Sequence, residues 1–176
     1  MSIEGDFQLL DRVTSRVHTA PAPAAAEPAA SEARDWSFPG IFGSTRVATT
    51  FGDVPAHLIR KHDRLRTKDG KFLEVLRISE YKLDDEFLSH HPEARPVVIR
   101  RGSLAPGKPA CDIHFSPGQR IVATGPSGRT VLATAIEISS NKQVVPNVPG
   151  ALSYFVFHLA EAALVRCEGI WVSMGE

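Results

Sequence analysis

Side chains that could ligate, titrate or attack are sparse in this chain, and most invite a plain explanation. Asp84-Asp85-Glu86 is followed by His90-His91, carboxylates and imidazoles of the kind a metal ion takes. Ligands must converge, however, and adjacent histidines on an extended chain point to opposite sides, so Lys82–Arg95 is expected to be a solvated surface loop holding no metal. Gly125-Pro126-Ser127-Gly128-Arg129-Thr130 looks superficially like a phosphate cradle. Its glycines stand too close together and no lysine follows, so it is expected to be a hairpin turn. Arg95, Arg100 and Arg101 form a small basic cluster without interleaved aromatics, and no nucleic-acid partner is expected from it. His158, inside an apolar run, is expected to be a hydrogen-bonded core histidine. Cys111 and Cys167 could pair, but two thiols in an ordinary composition suit a reduced compartment and small buried side chains. Nothing in the sequence asks for a cofactor.

The chain of 176 residues has room for one domain and a tail. Its 20 basic and 20 acidic residues balance, so no overall field favours nucleic acid or an anionic membrane. No run of 18 apolar residues exists, and the acidic start MSIEGDFQLLDR lacks the layout of a secretory signal; a soluble cytoplasmic protein is expected. Phe7, Leu10, Val13 and Val17 recur at spacings of three and four, predicting an amphipathic helix over 3–18. Such a helix needs a packing partner, either the rest of the chain or another protein. Residues 19–36 are rich in Pro and Ala and predict a semi-extended linker.

From residue 37 to 176 the pattern is all-β, many short strands broken by Gly and Pro. Thr45–Thr50 is a β-branched strand. Asp53 is expected to cap one helical turn begun by Val54 and Pro55, with Leu58 and Ile59 facing inward. Arg64–Thr67 and Phe72–Tyr81 flank an Asp69-Gly70 hairpin turn. Further strands are expected at Pro96–Arg101, Asp112–Phe115, Arg120–Ala123, Thr130–Ala133, Tyr154–Leu159 and Leu164–Cys167.

Four stretches, in order, carry a family resemblance: GIFGSTRVATTFGDVPAHLIRKHDRL from Gly40, PVVIRRGSLAPGKP from Pro96, DIHFSPGQRIVATG from Asp112 and YFVFHLAEAALVRCEG from Tyr154. Together they resemble the bacterial Hint family, the self-processing module shared by hedgehog proteins and inteins. The resemblance runs from Gly40 almost to the C-terminus and implies a compact, horseshoe-like β fold whose two ends meet. That would bring Trp36 and Trp171 near each other.

The resemblance also implies a chemistry. In the family a Cys, Ser or Thr at the first residue attacks the preceding carbonyl, turning an amide into a thioester or ester. A histidine in the later Ser-Pro element assists the departing nitrogen. Carried over residue by residue, the nucleophile falls on Gly40 and the histidine on Gln119, while the family's Gly-Asp turn becomes His62-Asp63. Glycine has no nucleophile, and glutamine exchanges no proton near neutral pH. The expected site, Gly40, Asp63 and Gln119, is therefore vestigial. Ser37, Ser44 and His114 are the fallback candidates for a serine variant, although no base is placed beside either serine by the motif. The expectation is an inactive Hint-like domain serving as a binding or assembly module, with residues 3–18 as a tethered docking element for a protein partner. The alternatives are a self-cleaving domain with a non-standard nucleophile, and a structural subunit of a larger particle.

Overall fold

The computed structural model describes residues 36–125, 127–139 and 152–175. The expected helix over 3–18, the linker up to residue 35 and Pro126 of the 125–128 turn lie outside them. Short β-branched and aromatic runs become strands wherever one face can be buried. The first half gives β1 (Ile41–Phe42), β2 (Arg46–Thr49), β3 (Gly52–Pro55), β4 (Arg64–Arg66), β5 (Phe72–Leu83) and β6 (Val97–Ile99). The second gives β7 (Ile113–Phe115), β8 (Arg120–Thr124), β9 (Thr130–Thr134), β10 (Leu152–Leu159), β11 (Ala163–Cys167) and β12 (Ile170–Met174). Among the described residues these twelve strands form one antiparallel sheet, ordered β6-β7-β1-β10-β5-β4-β2-β11-β12-β8-β9 with β3 paired to β2. The expected all-β architecture is present, and no described helix is long and apolar enough to cross a membrane.

The sheet is curled, and the long pair β5 and β10 shows how. Phe155, Phe157 and Leu159 of β10 pack on the larger apolar cluster, whereas Leu152 and Tyr154 belong to a second, smaller one. Tyr154 and Phe157 are three residues apart, so they lie on opposite faces of the strand. A bulge between His158 and Leu159 in the β10–β5 register skips Leu76. That extra residue puts Val75 and Ile78, both on the larger cluster, on the same face despite their odd spacing.

Several local expectations are corrected. Asp53 lies in β3 and caps nothing; the 3-10 turn Ala56–Leu58 starts after Pro55 without a side-chain cap. Ile59 is buried as expected, but Leu58 is 56% exposed. The stretch read as a polar loop contains helix α1 (Asp85–His90), because Asp84 accepts the Phe87 amide at 2.7 Å and Leu88 reaches the second cluster. A second short helix, α2 (Ala135–Ile138), starts at a Thr134/Glu137 capping box. Trp36 stacks on Phe38 and Phe87, not on Trp171, which sits in β12 opposite Arg166. Cys167 is buried as expected, but Cys111 is exposed, and both thiols are free. Burial pushes the Cys167 thiol far up, so it stays protonated.

The Asp69-Gly70 turn joins β4 to β5 as expected, with Gly70 at φ 83. His62 adopts φ 75, a left-handed conformation that costs a non-glycine residue free energy.

Candidate functional site

The site is built where the chain enters the sheet. Residues 36–40 run between Tyr154 of β10 and the Ser116–Gln119 turn that links β7 to β8. Close approach makes this threading possible. A Cβ on Gly118 would lie 2.4 Å from both the Ser37 carbonyl carbon and its oxygen, so only glycine lets the entering backbone cross the turn.

The turn then grips that backbone through several hydrogen bonds. The Trp36 indole N–H donates to Ser116 Oγ at 2.8 Å, and Ser116 Oγ donates to the Phe38 carbonyl at 2.7 Å. The Ser116 amide donates to the Gly40 carbonyl at 2.9 Å. Finally the Gly40 amide donates to Gln119 Oε1 at 2.9 Å, a buried bond. Gln119 is itself anchored, because Nε2 donates to the Ser173 carbonyl at 2.8 Å and to the Arg120 carbonyl at 3.1 Å. Its side-chain amide thus presents its oxygen to the Pro39–Gly40 peptide, and at 3% exposure little water competes.

Gly40 and Gln119, paired by motif alone in the sequence, therefore meet at the same peptide bond. Asp63 does not join them. Its carboxylate accepts the Arg60 amide at 2.8 Å in a local turn, and its carbonyl accepts the Val75 amide at 2.8 Å. Ser44 is exposed in the β1–β2 turn. Ser37 is exposed beside Gly118, and its hydroxyl has no hydrogen-bond partner among the described residues. His114 lies on β7 with its ring 5.6 Å from that of Phe42, and no hydrogen bond joins it to Gly40 or Gln119. Burial holds its imidazole below the usual 6.5.

The space around Gly40 is filled. A Cβ there would meet Tyr154 Cβ at 2.7 Å and Tyr154 Cγ at 3.2 Å. Tyr154 is held by its hydroxyl, which donates to the Ala94 carbonyl at 2.8 Å, and burial keeps that phenol protonated. Among the described residues no donor reaches the Pro39 carbonyl, where an oxyanion would develop if that bond were attacked. A small cavity of about 90 Å³ adjoins the Pro39–Gly40 peptide, lined in part by Ser37, Gly118, Gln119, Phe157 and Met174. The arrangement holds the Pro39–Gly40 peptide by its N–H and the neighbouring Phe38 and Gly40 carbonyls by Ser116, and it supplies neither a nucleophile at Gly40 nor a titrating group at Gln119.

Ser116, Gly118, Trp36 and Tyr154 were missed as site residues. Ser116 and Gly118 stand inside the Ser-Pro-Gly-Gln motif, which was the available signal. Trp36 lies just before Gly40 and Tyr154 opens the last of the four family-like stretches, but nothing in the sequence says that either reaches the Ser116–Gln119 turn or packs on Gly40.

The other sequence candidates are quiet. Among the described residues no three His, Cys, Asp or Glu side chains gather as a metal site. His90 and His91 are spent locally, on the Glu86 carbonyl and the Glu93 carboxylate. Arg100 pairs with Asp112 at 2.8 Å, which neutralises part of the basic cluster. His158 is hydrogen-bonded as expected, to Ser79 Oγ at 2.9 Å, but it is half-buried and lies outside the core, with the Arg77 guanidinium against its ring.

The described residues form a curled antiparallel sheet of short strands, and the peptide entering the first of them is held by the β7–β8 turn. The chain belongs to the Hint domain family, whose model matches residues 39–173. Among solved structures it is similar to the gp41-1 intein, at 14% identity over 77% of this chain and 98% of that one, with a TM-score of 0.49. It is also similar to a DnaB intein from Synechocystis sp., at 13% identity over 79% of this chain and 100% of that one, with a TM-score of 0.47. No curated protein sequence matches it significantly.

Proposed function

We propose that this Hint domain does not cleave its chain and instead acts as a binding or assembly module. The observation that carries the reading is the Gly40–Gln119 contact, 2.9 Å between the amide nitrogen and Oε1. The peptide that the family's chemistry would break is held there by an amide side chain, with Tyr154 filling the space a nucleophile's Cβ would need. Acyl transfer needs a nucleophile, a proton donor and charge stabilisation acting together, and removal of such groups from one site removes most of the rate. The clamp then serves to tie the N-terminal arm to the domain as one covalent chain. Residues 3–18, with their amphipathic spacing, are the proposed docking element for a protein partner. Two free thiols suit a reducing, cytoplasmic setting.

Mass spectrometry of the purified chain tests the reading. After long incubation with thiol or hydroxylamine the protein is expected to stay at 19.1 kDa. A fragment beginning at Ser37 or Gly40 would overturn it and revive the self-cleaving alternative. Affinity capture with and without residues 1–18 tests the arm, and an unchanged partner set discards it as the docking element.

A further inference from the structure

We propose that the aromatic row Tyr81, Phe38, Trp36, Phe87 and His91 is a docking surface for a basic, extended protein segment. The proposal rests on the binding reading above and supplies the chemistry of the partner. Neighbouring ring centroids along the row are 6.3, 5.2, 6.0 and 4.5 Å apart, so each ring touches the next. The middle of the row is fixed: Trp36 and Phe87 pack on the second cluster, and Ser116 holds the Trp36 indole. The other end is open, with Phe38 55% and Tyr81 41% exposed. Rigid rings with exposed faces, seated on a packed base, are the usual anchors of protein interfaces, since little side-chain freedom is lost on binding.

Charge selects the partner. Between Leu83 and Ala94 the chain carries four carboxylates and no Lys or Arg, in a protein whose net charge is zero. Asp84 is used in capping α1 and Glu93 bonds His91 of the row. Asp85 and Glu86 are exposed in the first turn of α1, next to Phe87, and neither has a cationic partner among the described residues. Guanidinium and ammonium groups are drawn to carboxylates and also sit favourably over ring faces. An extended segment of about six residues, at roughly 3.3 Å each, would run the length of the row.

The test uses the full chain with Trp171→Phe, which leaves Trp36 as the sole indole of the two in the sequence. Its fluorescence is titrated with a synthetic Arg/Gly peptide and with a Glu/Gly peptide of equal length. Saturable change is expected with the Arg/Gly peptide alone, weakening as salt is raised. Phe38→Ala with Tyr81→Ala is expected to weaken binding about tenfold or more. Asp85→Asn with Glu86→Gln, two exposed positions outside the core, is expected to weaken it several-fold and decides the matter if the alanine variant fails to fold. No saturation, an equal response to both peptides, or indifference to the charge variant would overturn the proposal. So would concentration-dependent self-association seen by light scattering and lost in Phe38→Ala, which would give the row to a second copy of the chain. An intact chain that ignores the peptide retires the docking surface alone; a cleaved chain retires the non-cleaving reading, whatever the peptide does.

Discussion

Gly40→Ala sets two effects of opposite sign against each other at the centre of the site. Gly40 is not among the residues with positive φ, so alanine is conformationally allowed there. Restricting the unfolded chain would by itself stabilise the protein by about 0.4–1 kcal/mol. The added Cβ, however, would lie 2.7 Å from Tyr154 Cβ, where carbon atoms normally rest about 3.5–4.0 Å apart. Tyr154 has little room to yield. It is 1% exposed, its backbone pairs with Phe42 on one side and Tyr81 on the other, and its hydroxyl is tied to Ala94. Overpacking at so constrained a position costs about 1–3 kcal/mol, which outweighs the backbone gain. Thermal and urea unfolding are therefore expected to show Gly40→Ala less stable by roughly 0.5–2.5 kcal/mol, a Tm lower by a few degrees. A variant as stable as the parent, or more so, refutes the tight seating of Gly40 and with it the claim that no nucleophile fits. The double variant Gly40→Cys/Gln119→His is expected to remain uncleaved for the same steric reason, and release of a fragment by thiol would refute that.

Three further outcomes are expected. Gln119→Ala strands the Gly40 amide and the Ser173 carbonyl in a buried site, so urea unfolding should show a loss of about 2–4 kcal/mol, and a loss near zero would show the clamp to be dispensable. His62→Gly relieves a φ of 75 at the cost of an exposed contact with Glu74, so the Tm should rise, by about 0.5–1 kcal/mol in free energy, and a fall would mean that the pairing outweighs the backbone. The His114 imidazole is held below 6.5 by burial, so below that pH the unfolded chain takes up a proton that the folded one resists. Stability should thus decline as pH falls from 6.5 towards the lowered folded value, and His114→Gln should flatten that segment of a Tm-versus-pH curve while leaving the later decline as lowered carboxylates such as Asp112 are protonated.

The strands were readable because their signals are local. Thr45–Thr50 and Phe72–Tyr81 are β-branched or alternating runs ended by glycine or charge, and the structure returns them within a residue or two as β2 and β5. Helix α1 was not read, since its apolar content is only Phe87 and Leu88 and its polar residues suit a loop equally well. What decides for helix is tertiary: Leu88 and Phe87 dock on a cluster assembled from β5, β10 and Ala94. The Asp53 cap failed for a related reason. Its register in β3 pairs it with Ala48 of β2, and that ladder overrides a local capping preference. β12 was not among the expected strands, yet Val172 pairs with Ile121 of β8 and is fully buried in the larger cluster.

At the site the sequence supplied the two ends of one hydrogen bond and nothing of what surrounds it. That partial view conceals how well the two replacements suit each other. An imidazole could accept from the Gly40 amide only when neutral, and its other nitrogen would then offer a single donor. Glutamine offers an acceptor and two donors at any pH, and Gln119 uses them all, with Oε1 on Gly40 and Nε2 on the carbonyls of Ser173 and Arg120. Three backbone groups from three chain segments that meet only in the folded state are thereby satisfied, without a charge and without a titration. Glycine at position 40 is the matching half, since only the missing Cβ lets the amide approach with Tyr154 packed behind it. A histidine at 119 would bring a titration to this contact, whereas the glutamine holds the Gly40 amide without one.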